Sequence, residues 1–185
     1  MTIDFSYNIF IILFIILSGI CIFGIKENVY KVLGVCFSFY AICLVKIVFF
    51  PIYIPSQAQL LKFKSAMSED FSMIQYIPFK NISLTFQSSN WLMQIGGNIV
   101  LLIPMVVFLA LFLDYKNKYS IRKTIVIGVG ISIAIEAVQA LMNYIIQYPN
   151  RIADIDDIIL NSFGVVIASI GYWIVRKIYF RHNHE

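Results

Sequence analysis

Five stretches of this chain are apolar for long enough to cross a lipid bilayer, and the polar residues inside them recur at helical spacing. A helix rising 1.5 Å per residue needs about 20 apolar residues to traverse about 30 Å of hydrocarbon. The runs Phe5 to Ile25, Val32 to Tyr53, Trp91 to Leu113, Thr124 to Tyr148 and Ile155 to Val175 meet that length. The pattern predicts an all-α fold, a polytopic membrane helix bundle of about five transmembrane helices forming one transmembrane domain over 1–185. The first run is too long for the apolar core of a signal peptide. No basic residue precedes it and no small-x-small cleavage site follows, so it is expected to stay in the mature protein.

Composition supports the same class. Hydrophobic residues make up 60% and charged residues 13%, against about 45–50% and about 25% in soluble chains. Mean hydropathy is +0.83. A soluble enzyme, a secreted domain, a disordered tail and a nucleic-acid module are excluded as expectations. The net charge of +4 serves to orient the chain in the bilayer, and no basic, aromatic-interleaved patch suits nucleic acid. Cys21, Cys36 and Cys43 all fall in apolar runs without metal-ligand spacing and read as packing residues.

Orientation follows from the loop lysines and arginines. The N-terminus, the 53–90 loop and the 149–154 loop carry Lys62, Lys64, Lys80 and Arg151. The opposite side carries Lys26, Lys31, Lys116, Lys118, Arg122, Lys123, Arg176, Lys177 and Arg181. The richer side is expected to be cytoplasmic, with the N-terminus outside and the C-terminus inside. Residues 54–90 then form an external, partly interfacial loop. Phe71, Met73, Ile74, Tyr76, Ile77 and Phe79 favour the headgroup region, and Pro78 stops a continuing helix. A surface loop and a lid over the bundle are both open readings. His182 and His184 read as a solvated tail end.

Ionisable groups within a bilayer cost at least about 2.5–3.5 kcal/mol each, so those present need a reason. Counting 1.5 Å per residue puts Asn98, Glu136, Lys46 and Asn161, on four separate spans, at one level roughly 10 Å below the outer face. Ser132, Glu136, Gln139 and Asn143 form one stripe of the fourth span. Asp154, Asp157, Asn161, Gly164, Ala168 and Gly171 recur at alternating three and four on the fifth. The fifth helix is thus expected to pack by its small residues and to show a polar face by its outer turns. Asp154, Asp156 and Asp157 in its first turn, behind Arg151, also suit helix capping with a local ion pair.

The segments IQYIPFKNI, GGNIVLLIPM, SIAIEAVQ and RIADIDDIILNSFG, in that order, resemble the VanZ-like family of bacterial membrane proteins. Pro78 and Phe79 match its first element, Asn98 and Pro104 its second, and Glu136 and Gln139 its third. Arg151, Asp154, Asp157, Asn161 and Gly164 match its fourth and most specific one. The resemblance spans roughly residues 75 to 172 and leaves the first two spans without a signature. Met105 departs from the glycine that often follows the proline. The resemblance implies a multi-pass protein of the cell membrane and cell envelope. Its namesake branch is associated with resistance to teicoplanin-type glycopeptide antibiotics.

On these residues the leading expectation is a binding protein rather than an enzyme. Its ligand-binding candidates are Lys46, Asn98, Glu136, Gln139, Arg151, Asp154, Asp157 and Asn161, in a polar pocket of the outer leaflet. Expected partners are membrane lipids and a lipid-linked cell-wall precursor or glycopeptide-type ligand, with no nucleic acid. Arg151 would pair with a phosphate or carboxylate. No cofactor is expected. Under a second reading, an enzyme acting on lipid or peptidoglycan precursors, Glu136 and Asp157 act as acid and base or hold a divalent cation with Asp154. A small transporter or flippase is the third, although five spans without an inverted repeat make a poor alternating-access frame. Lys46 either pairs with Glu136 or snorkels to the outer surface.

Overall fold

A computed structural model describes residues 1–67 and 71–182, with side chains as far as Tyr179. His184 and the side chain of His182 lie outside the described residues. Five helical segments are long and apolar enough to cross a membrane: α1 (Tyr7–Gly24), α2 (Asn28–Phe49), Trp91–Tyr115, α7 (Ile121–Ile146) and α8 (Ile155–His182). The protein is a helical membrane protein. Many large apolar side chains on these helices are exposed, as a bundle facing acyl chains requires.

Two boundaries differ from the sequence expectation for identifiable reasons. The second span starts earlier, at Asn28, and ends at Phe49 rather than Tyr53. Pro51 carries no amide hydrogen and biases the residue before it out of helical backbone. Phe50 is accordingly extended, at φ −114° and ψ 153°. The third span is two helices, α5 (Trp91–Leu101) and α6 (Ile103–Tyr115), interrupted at Leu102. Pro104 cannot donate to Val100, and the Tyr40 hydroxyl of α2 donates to the neighbouring Leu101 carbonyl at 2.6 Å. Lipid offers that carbonyl nothing, so a protein donor is needed there.

The packed centre gathers Leu44 and Val48 of α2, Leu102, Val106 of α6, Ile135 of α7, and Val165 and Ala168 of α8. Met105, the departure from the family pattern, packs partly buried against it. Gly164 is what lets α8 approach α5, since a Cβ there would stand 1.9 Å from the Ile99 carbonyl oxygen. The small-residue face of α8 is shorter than its spacing suggests: Gly164 and Ala168 are buried, but Gly171 is exposed and Ser169 is buried in its place. α1 packs on α2; Cys21 meets α2 beside Gly34, and all three cysteines are free.

One end of the bundle collects most of the connecting chain. β1 (Thr2–Ile3) pairs antiparallel with β2 (Ile52–Tyr53). The Asn150 side chain both accepts from the Tyr53 amide at 2.6 Å and donates to its carbonyl at 3.1 Å. The 54–90 segment holds α3 (Gln57–Ala66), β3 (Ile74–Gln75) and α4 (Lys80–Thr85). β3 pairs in parallel with β4 (Ala153–Asp154), Ile74 beside Ala153 and Gln75 beside Asp154. The segment is therefore docked across the end of the bundle. Tyr76, Ile77 and Phe79 remain exposed. At the other end Asp114 pairs with Arg176 at 2.9 Å and accepts from the Tyr172 hydroxyl at 3.0 Å.

Candidate functional site

The acidic first turn of α8 organises the docked end. Asp154 caps the helix, its Oδ1 accepting from the Asp156 amide at 2.9 Å, as an aspartate preceding a helix commonly does. Its other oxygen accepts from the Asn81 side chain, and its own amide donates to Glu136 Oε2 at 2.9 Å. Asp156 is 1% exposed. Its carboxylate accepts backbone amides from Phe79, from Asn81 at 2.8 Å and from Ile82 at 3.0 Å. One side chain thus captures the start of α4 and the turn before it. Phe79 sits there at φ 65°, a left-handed conformation that is strained for a bulky residue.

Asp157, one position on, turns inward and accepts from the Asn98 side chain of α5. On α7, Ser132, Glu136, Gln139 and Asn143 are all buried, which is the stripe their spacing predicts. Gln139 donates to the Val48 carbonyl at 3.0 Å. Asn143 donates to the Arg151 carbonyl and accepts from the Asn150 amide at 3.0 Å, holding the 147–154 turn. Asn161 is 1% exposed, and among the described residues its Oδ1 has no hydrogen-bond partner.

These groups surround a cavity of about 450 Å³. Of the residues expected to form a pocket, Asn98, Glu136, Gln139, Arg151, Asp154, Asp157 and Asn161 all line it. Lys46 is not among its lining. The Lys46 ammonium stands 5.4 Å from the centre of the Tyr7 ring of α1, and among the described residues it makes no ion pair with Glu136. Because α2 ends at Phe49, the lysine lies in its last turn, and it projects from α2 toward α1.

Arg151 is exposed and donates to the Phe50 carbonyl at 3.3 Å. Among the described residues it makes no ion pair, so capping is present in the acidic turn and the local ion pair is not. Three residues of the cavity lining escaped sequence reasoning: Asp156, which reads as a simple cap, and Asn81 and Thr85 of α4. Asn81 lies within the IQYIPFKNI segment, but nothing local announces a partner more than seventy residues away. Among the described residues no three His, Cys, Asp or Glu side chains are grouped to hold a metal ion.

No curated protein and no solved structure matches the chain. A family model described as VanZ/LLP1 matches residues 37–176. That reach extends beyond the 75–172 of the recognisable motifs and takes in most of α2, whose Val48 carbonyl and Tyr40 hydroxyl brace the site. Over three quarters of its length, including every element that lines the cavity, this chain belongs to the VanZ/LLP1 family.

Proposed function

We propose that this protein is a cell-membrane component of the bacterial envelope whose polar cavity binds the head of a lipid-borne envelope molecule. The candidates are a lipid-linked wall precursor or a glycopeptide-type ligand. Its contribution to glycopeptide tolerance, of the teicoplanin type, would follow from that binding. The carrying observation is the convergence of Asn98, Glu136, Gln139, Arg151, Asp157 and Asn161, from four separate stretches of chain, on one cavity. Ionisable groups at membrane depth face interiors that serve a ligand, an ion path or one another. An outer-leaflet location for the docked end, and with it the cavity, is supported by the lysine and arginine count of the loops.

The test is glycopeptide susceptibility of cells carrying Glu136→Gln or Asp157→Asn at protein levels equal to wild type. Each substitution keeps shape and removes charge. Increased susceptibility is expected for both, and unchanged susceptibility for both sinks the reading.

A further inference from the structure

The cavity has a flank as well as a floor, and the two have different chemistry. α2 packs on α1 and α6, whereas α5 packs on α8, α4 and α6, so neither is a main partner of the other. They stand instead as walls of the cavity, with Ile47 on one side and Met93 and Gly97 on the other. Ile47 and Gly97 are exposed, and Met93 is 79% exposed. A Cβ built on Gly97 meets no atom within 4 Å. Gln94 also lines this side, so the flank is open and mostly apolar.

The floor is rich in acceptors. Glu136 and Asp157 face it, and among the described residues the buried Asn161 oxygen has no donor. A buried acceptor without a partner costs free energy that a ligand donor would recover. Four carboxylates line the cavity (Glu136, Asp154, Asp156 and Asp157) against the single guanidinium of Arg151. That excess repels an anion from the floor and attracts a cation. A primary ammonium offers three N–H donors to such a floor and is compact enough to enter. The exposed Arg151 is then left for an anionic group attached behind the ammonium.

Building on the cavity reading above, we propose that the ligand is a lipid of the surrounding leaflet whose head group ends in a primary ammonium. It enters sideways between α2 and α5. Its chains stay in the bilayer beside Ile47 and Met93, and its ammonium reaches Glu136, Asp157 and Asn161.

Purified protein equilibrated with an equimolar mixture of phosphatidylethanolamine, phosphatidylcholine and phosphatidylglycerol, then analysed by native mass spectrometry, tests this. Phosphatidylethanolamine is expected to be retained about tenfold over phosphatidylcholine, the ratio for losing one hydrogen bond to a charged acceptor. Gly97→Leu, which fills open space at the flank, is expected to lower that retention by a similar factor with an unchanged melting temperature. Equal retention of the ethanolamine and choline lipids by the wild type overturns the proposal, as does full retention by Gly97→Leu. Neither result touches the antibiotic phenotype of Glu136→Gln and Asp157→Asn, so the two readings fail separately.

Discussion

Replacing Asp156 removes the acceptor that holds the docked segment by three backbone amides, those of Phe79, Asn81 and Ile82. Hydrogen bonds to a charged acceptor are worth about 1.5–3 kcal/mol when buried. These three are partly buried, so water recovers part of that value when the segment lifts. About 1 kcal/mol per bond gives about 3 kcal/mol for Asp156→Ala, or roughly two decades in the opening equilibrium. Asp156→Asn keeps one acceptor oxygen and turns a donor toward the amides, so about 2 kcal/mol is expected. The assay is hydrogen exchange of amides 74–86 in detergent or nanodiscs, where local opening sets the rate. The segment should exchange about a hundredfold faster in Asp156→Ala while the centres of α7 and α8 keep their protection. Phe79→Gly should act in the opposite direction. It relieves a left-handed conformation costing roughly 1–2 kcal/mol and should slow opening several-fold. Unchanged exchange in Asp156→Ala refutes the tether, and a uniform rise across α7 and α8 would show that Asp156 supports the whole bundle instead.

Other consequences follow from single contacts. Gly164→Ala drives a Cβ against the Ile99 carbonyl, which is backbone and cannot swing away. Melting in detergent should fall by the equivalent of about 1–3 kcal/mol or more, whereas Gly130→Ala, with nothing within 4 Å, should melt like the wild type. Lys46→Met should leave glycopeptide susceptibility unaltered at equal protein levels, since the ammonium lies over Tyr7 rather than on the cavity; a phenotype as strong as that of Glu136→Gln would contradict this placement. A membrane-impermeant maleimide added to intact cells should label Ser65→Cys on the docked end and label Asn117→Cys at the opposite end only after permeabilisation. The reverse pattern would turn the cavity to the inner leaflet and remove the glycopeptide reading.

How much of this site could be read from sequence depends on the range of the interaction that places each residue. Helical periodicity is local, so the buried stripe Ser132, Glu136, Gln139 and Asn143 is legible from spacing alone. Depth is legible for the same reason, because rise per residue is constant along a helix; Asn98, Glu136 and Asn161 stand around one cavity as counting implies. Lys46 shows where counting stops. Depth does not specify azimuth relative to a neighbouring helix, and α1 rather than α7 receives that side chain.

The amino-acid sequence by itself determined that the chain spans a membrane, roughly where each span lies, which stripe of α7 is polar and to which family the chain belongs. Those properties depend on hydrophobicity and on intervals of three and four residues, which survive in one dimension. Only the tertiary structure decided that the 54–90 segment docks through Asp156 and Asn81, that Pro104 and Tyr40 together divide the third span, and that α2 and α5 leave a mostly apolar opening between them. Each of these needs groups far apart in the chain to meet. Whether a buried amide finds its acceptor depends on helix packing, which no local pattern records.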